Sequence, residues 1–186
     1  LITKDLLADE SSSHVEVTDS TGLHAGSMVA GSSKSLKITI FDQYGNVLPS
    51  YHGDYNVILS GPAPSPHGNV PTCTNKSGAN VNFGNNTLLA FNRRVATCLL
   101  RTYKEEVTTV DASLSTLLHS GGDSGYDLDL TVTHGALSAP GSTLTVSPSP
   151  ATVQSPVNLR LSVNDLYGNP LGADGVGQTI AFYITG

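Results

Sequence analysis

Groups that could do chemistry are few and scattered in this 186-residue chain. Ser124, in the run "GDSG" at 122 to 125, is the one serine in a setting that suggests a nucleophile. An acylating serine needs a hydrogen-bonded base and donors for the oxyanion. The six histidines (14, 24, 52, 67, 119 and 134) stand singly, so no base is paired with it and the chain is read as non-catalytic. The histidines also lack the close spacing of a zinc site, and two cysteines are too few for a structural one. Calcium is the single candidate ion. A hard cation takes several oxygen ligands, and Asp127 and Asp129, two apart on a strand, point the same way with Asp123 close in sequence. The same two aspartates are also the outward partners of inward Leu128 and Leu130, and the spacing is neither that of an EF-hand nor of a nonapeptide repeat. No cofactor is therefore expected.

Cys73 and Cys98 carry more information. Cys98 alternates with Ala96 and Leu100 and so lies on an apolar face, whereas Cys73 sits in the polar run "NVPTCTNKSG". A disulfide between them resolves that contrast. It would close a loop of about 26 residues and stabilise by roughly 3 to 4 kcal/mol on the chain-entropy model. It also implies an oxidising, extracellular or cell-surface setting. Asn75 and Asn85 head N-x-S/T sequons in the same polar region, so glycans are expected there in a glycosylating host, and "SPSP" at 147 to 150 suits O-linked sugar.

The elements that hold these residues are legible from a repeat. "FDQYGN" at 41 to 46 is echoed by "NDLYGN" at 164 to 169. Gly45 and Gly168 supply positive φ, Asn46 and Asn169 tolerate the left-handed region, and Asp42 and Asp165 can accept backbone N–H bonds two residues on. Tyr44 and Tyr167 are expected to cover the end of a sandwich. Each turn follows an alternating strand: Leu36, Ile38 and Ile40 inward in the first copy, Leu159, Leu161 and Val163 in the second. A second strand follows each turn, with Tyr55, Val57 and Leu59 inward, then Ile180, Phe182 and Ile184. Further strands are predicted in "HVEVTD", "TLLAF", "RVATCLLRTY", "EVTTVDASL", "YDLDLTVTH" and "TLTVSPSP".

Composition agrees with an all-β chain. Charged residues make up 13% and aromatics 6%, typical of polar-faced sheets with many turns. A net charge of -6 with only nine Lys and Arg leaves no basic footprint for nucleic acid. No apolar run approaches the length of a membrane span, and "LITKDLLADE" is not a signal peptide, so any export signal or anchor is expected outside this chain.

Alternating strand, "DQYGN" or "DLYGN", short polar linker and second strand together resemble the bacterial immunoglobulin-like modules of invasin and intimin type, and more loosely the filamin-type repeat. The resemblance covers residues 25 to 61 and 142 to 186. It implies a seven- or eight-stranded antiparallel immunoglobulin-like β-sandwich repeated in tandem in adhesins, surface layers and appendages, where calcium can stiffen junctions. Residues 62 to 86 form a longer polar loop than such modules carry. The expected organisation is a tail from a preceding segment (1–12), a first module (13–135), a linker (136–141) and the first strands of a second, incomplete module (142–186).

The function expected from this organisation is a structural repeat of an extracellular fibre, stalk or cell-surface appendage, partnered by neighbouring modules or fibre subunits. The alternative is an adhesin or receptor module binding a protein or glycan through its loops. Phe41 and Ile58, both outward, are a candidate interface patch on one sheet face. Residues 142 to 186 are too few for a sandwich, so Leu159, Leu161, Val163, Ile180, Phe182 and Ile184 are expected to be exposed or covered by polypeptide outside the chain. Burial of all six against the first module would instead make one closed domain.

Overall fold

Leu36, Ile38 and Ile40 alternate with Lys37, Thr39 and Phe41, the pattern of a strand with one face in a core. In the computed structural model that face is fully buried. The structure describes residues 8–19, 21–22, 25–42, 44–46, 48, 51–114, 118–119, 130–150, 152–172 and 181, with the side chains of 8–12 and 118–119 left aside. Its strands, in chain order, are β1 (Ala8–Thr18), β2 (Ser27–Val29), β3 (Ser33–Asp42), β4 (Gly53–Ser60), β5 (Thr72–Thr74), β6 (Asn80–Asn82) and β7 (Asn86–Phe91). They continue with β8 (Val95–Arg101), β9 (Glu106–Thr108), β10 (Asp111–Leu114), β11 (Leu118–His119), β12 (Leu130–Thr133), β13 (Thr143–Ser147) and β14 (Asn158–Ser162).

The fold is an all-β sandwich followed by a hairpin. A five-stranded sheet, β1-β3-β8-β5-β6, and a four-stranded sheet, β11-β10-β4-β7, contribute to one core. The first supplies Leu36, Ile38, Ile40, Ala96, Cys98 and Leu100, and the second supplies Val57, Leu59, Leu89, Phe91, Ala112 and Leu114. A third sheet, β2-β12-β9, adds Met28, Leu130 and Val132 to the same cluster. β13 and β14 pair only with each other among the described residues.

Several expectations are corrected by local causes. β1 begins at Ala8, inside the stretch read as a tail, and pairs with β3 through Ala8 opposite Asp42 and Asp9 opposite Phe41. The register then jumps to His14 opposite Thr39, so the serine run is a bulge, and a bulge breaks the alternation by which a strand is recognised. The polar region 62 to 86 contains β5 and β6, a hairpin that extends the five-stranded sheet beyond β8. "EVTTVDASL" is two strands, because β9 pairs with β12 while β10 pairs with β4. The in–out alternation stays in phase through both, Val107 exposed and Val110, Ala112 and Leu114 buried, so the side-chain pattern does not mark the change of partner. β2 and β12 run parallel, so the sandwich is not wholly antiparallel.

Candidate functional site

The two D-x-Y-G-N turns have the same interior. In the first, Asp42 Oδ1 accepts from the backbone N–H of Tyr44 and of Asn46, both at 2.8 Å, and Asp42 Oδ2 accepts from Asn46 Nδ2 at 3.0 Å. The backbone adds Asp42 N to Asn46 O at 3.0 Å and Gly45 N to Asp42 O at 2.9 Å. In the second, Asp165 Oδ1 accepts from Tyr167 N at 2.8 Å and Asn169 N at 2.9 Å, and Asp165 Oδ2 from Asn169 Nδ2 at 2.8 Å. Its backbone bonds are Asp165 N to Asn169 O at 2.9 Å and Gly168 N to Asp165 O at 3.2 Å. Gly45 and Gly168 have φ of +75° and +85°, a region that costs any residue with a Cβ.

Both aspartates are fully buried. Burial pushes each carboxyl upward, but the hydrogen bonds together outweigh it: the Asn46 side chain and the N–H groups of Asn46 and Tyr44 for Asp42, and the Asn169 side chain and the N–H groups of Gly135, Asn169 and Tyr167 for Asp165. Both therefore titrate below the ordinary aspartate value.

Their surroundings differ. Tyr44 is 71% exposed and Asn46 is exposed, so the first tyrosine does not cover the end of its own sandwich as expected. Asn169, in contrast, is 1% exposed, and every polar group on its side chain is used across the chain. Asn169 Nδ2 donates to Tyr103 O at 2.8 Å and Asn169 Oδ1 accepts from Glu105 N at 2.9 Å. Asp165 Oδ2 also accepts from Gly135 N at 2.8 Å. Tyr167 packs against the hydrophobic core of the sandwich, its ring 5.0 Å from that of Tyr103, and so tightly over Gly31 that a Cβ there would lie 2.1 Å from the tyrosine oxygen. The second turn is thus seated in a socket at the end of the sandwich that precedes it.

One wall of the socket is a further turn of the same form. In Ser65–Asn69 the backbone bonds run from Ser65 N to Asn69 O at 2.9 Å and from Gly68 N to Ser65 O at 2.8 Å, and Ser65 Oγ accepts from Asn69 N at 3.1 Å. His67 stands where the other turns have tyrosine. Its N–H donates outward to Tyr167 O at 3.2 Å, and its Nδ1, in the protonated tautomer, donates to Leu166 O at 3.1 Å. Asn75–Ala79 repeats the pattern again, with Asn75 Oδ1 accepting from Ser77 N and Ala79 N, both at 3.0 Å. The hub needs only a side-chain oxygen near the backbone, and Asp, Asn and Ser all supply one.

Cys73 and Cys98 are joined by a disulfide with Cα atoms 5.8 Å apart, both side chains in the core. Cys73 lies opposite Leu100, so the bridge runs diagonally and fastens β5 to β8. Asn75 is half-buried as the hub of its turn, and Asn85 is exposed after β6. Asp123, Asp127 and Asp129, and the "GDSG" run with them, lie outside the described residues. Phe41 and Ile58 do not share a face: β3 and β4 belong to different sheets, because the turn after Asp42 crosses the sandwich. Phe41 is half-buried between His14, ring to ring at 4.8 Å, and the Arg94 guanidinium 5.5 Å from its centroid.

In the second strand pair, Leu144 stands opposite Leu161 and Val146 opposite Leu159, so these four share one face. Leu159 is 49% exposed, and Leu161 and Val163 are half-buried, so this face is not sealed against the sandwich. Ile180, Phe182 and Ile184 lie outside the described residues.

No protein-family model matches the chain, and no curated protein matches it. Among solved structures, the chain is similar to the Escherichia coli adhesin FdeC, at 18% identity over 87% of this chain and 43% of that one, with a TM-score of 0.48. It is also similar to domains 4–9 of the surface-layer protein SbsC, at 20% identity over 85% of this chain and 21% of that one, with a TM-score of 0.33. A β-glycosidase from Bacteroides vulgatus matches over 57% of this chain and 13% of that one, at 15% identity and a TM-score of 0.37. The chain spans less than half the length of each of these structures.

Proposed function

We propose that the chain is a stretch of a tandem-module protein of the cell surface or extracellular space, with a structural, non-catalytic role in a fibre, stalk or appendage. The observation that carries this reading is the seated second turn. Its side chains are spent on fixing one β unit to the end of another, through Asn169, Asp165 and Tyr167. A joint with buried, fully paired polar groups holds an angle between modules, which a flexible linker does not. The Cys73–Cys98 disulfide supports an oxidising location. Leu144, Val146 and Leu159 are exposed together on a strand face, which favours assembly over ligand capture at a loop tip.

The experiment is surface detection with a thiol count. An antibody raised against the folded chain is applied to intact and to permeabilised source cells, and the isolated protein is unfolded without reductant. Labelling of intact cells together with no titratable thiol is the expected result. Labelling only after permeabilisation, with two free thiols, would overturn the reading.

A further inference from the structure

We propose that the first D-x-Y-G-N turn, Asp42–Asn46, is the docking element for the socket end of another module of the same kind. Tyr44 and Asn46 would make there the contacts that Tyr167 and Asn169 make on this chain. The inference rests on the tandem reading and adds the surface, the partner and the contacts.

The argument is a comparison of identical parts. Five hydrogen bonds give the two turns one shape, so their outward groups, the ring two residues after the aspartate and the amide four residues after it, are presented alike. In the second turn those groups meet a backbone carbonyl at Tyr103, a backbone N–H at Glu105 and the bare Cα of Gly31. In the first turn the ring is 71% exposed and Asn46 is exposed, its amide bonded only to its own Asp42. Nothing inside the turn requires a tyrosine, as Ser77 shows at the same place in the Asn75 turn, and the Asn46 side chain spends there only an N–H, on Asp42 Oδ2. The partner is therefore a sandwich end that offers a glycine and an adjacent C=O and N–H pair, which is what this sandwich offers at its other end.

The socket of this chain is filled by its own second turn, so wild-type copies have nowhere to dock. Emptying it makes the test. In the full chain carrying Asp165→Ala, Tyr167→Ala and Asn169→Ala, a photo-crosslinking phenylalanine derivative is placed at position 44, and the protein is irradiated near millimolar concentration, the range that a tether would otherwise supply. Gly168→Ala, whose Cβ would meet His67, is the second route to an open socket. The expected result is an intermolecular product mapping to peptides around Gly31 and Tyr103, absent in the filled-socket chain and reduced about tenfold by Asn46→Ala. The native disulfide and a dispersed amide spectrum establish that each variant is folded. Folded, open-socket chains that give no such product, or a product equally formed by the filled-socket chain, would overturn the proposal. Slow amide exchange at Glu105 in wild-type protein keeps the tandem reading standing in that event, whereas fast exchange there would remove the seated joint and the tandem reading with it.

Discussion

The turns at Asp42 and Asp165 are one piece of chain geometry in two settings. Aspartate, glycine, the asparagine Nδ2 and the intervening backbone fix the shape in both, through the same five bonds. What differs is what the tyrosine ring and the asparagine amide touch: solvent in the first, the end of a neighbouring sandwich in the second. The comparison teaches that a turn motif encodes a shape, while its role is set by the surface it is carried against.

The widest separation between the two should come from removing the hub. Asp42→Ala strips three acceptor contacts from part-buried N–H groups of the first turn. Water can reach these N–H groups once the carboxylate is gone, so the loss is that of three net hydrogen bonds at about 0.5 to 1.5 kcal/mol each, and roughly 2 kcal/mol or more from the main unfolding transition is expected. Asp165→Ala strips four, one of them the Gly135 N–H in the joint. Its loss should appear instead as fast hydrogen exchange at Glu105 and Gly135, with the main transition shifted less. Denaturant melts with site-resolved exchange check this, and an Asp165→Ala chain that keeps Glu105 protected would break the distinction.

How far the sequence could be read follows from what each feature is made of. Side-chain alternation announced β3, β4, β7 and β8, because one face of each strand is in the core. The bulge in β1 interrupts alternation with serines, and the split between β9 and β10 leaves the alternation in phase, Val107 out and Val110 in, so nothing in the side-chain pattern announces it. Residue identity does not relate the turns at Ser65 and Asn75 to D-x-Y-G-N, although the sequence holds the more general cue of a small side-chain oxygen three residues before glycine. The socket was not legible at all. It is built from Tyr103 O, Glu105 N and Gly135 N, main-chain groups that every non-proline residue carries.

A smaller effect isolates the joint from the turn. Gly45 and Gly168 have nearly the same φ, so alanine adds about 1 to 2 kcal/mol of left-handed strain at either position. At Gly45 the new Cβ meets nothing within 4 Å, whereas at Gly168 it would lie 2.7 Å from His67 Cδ2 and 3.0 Å from Pro66 Cβ. Gly168→Ala should therefore cost about 1 kcal/mol or more beyond Gly45→Ala, the ordinary penalty of overpacking, and the excess should fall on the joint. Equal costs in paired melts, with Glu105 exchange unchanged, would mean that the second turn is not seated in solution.

The smallest separation is expected from pH. For both aspartates burial pushes the carboxyl up and the summed hydrogen bonds pull it further down, leaving each below its ordinary value of 3.8. A carboxylate depressed by folding contributes stability that is fully present above the unfolded value and is lost as pH falls through the folded one. Neither turn should change between about pH 5 and pH 8, and both should loosen together below about pH 4. Following the side-chain carboxyl carbons of Asp42 and Asp165 by NMR should give two midpoints below 3.8. The two turns share the bonds from their own asparagine and tyrosine, and only the Gly135 N–H is special to the second, so acid is a poor means of telling them apart. A midpoint for Asp165 raised above the ordinary value would reverse that conclusion: burial against the first sandwich would then outweigh the Gly135 bond, and the joint would close by holding a proton that the exposed turn releases.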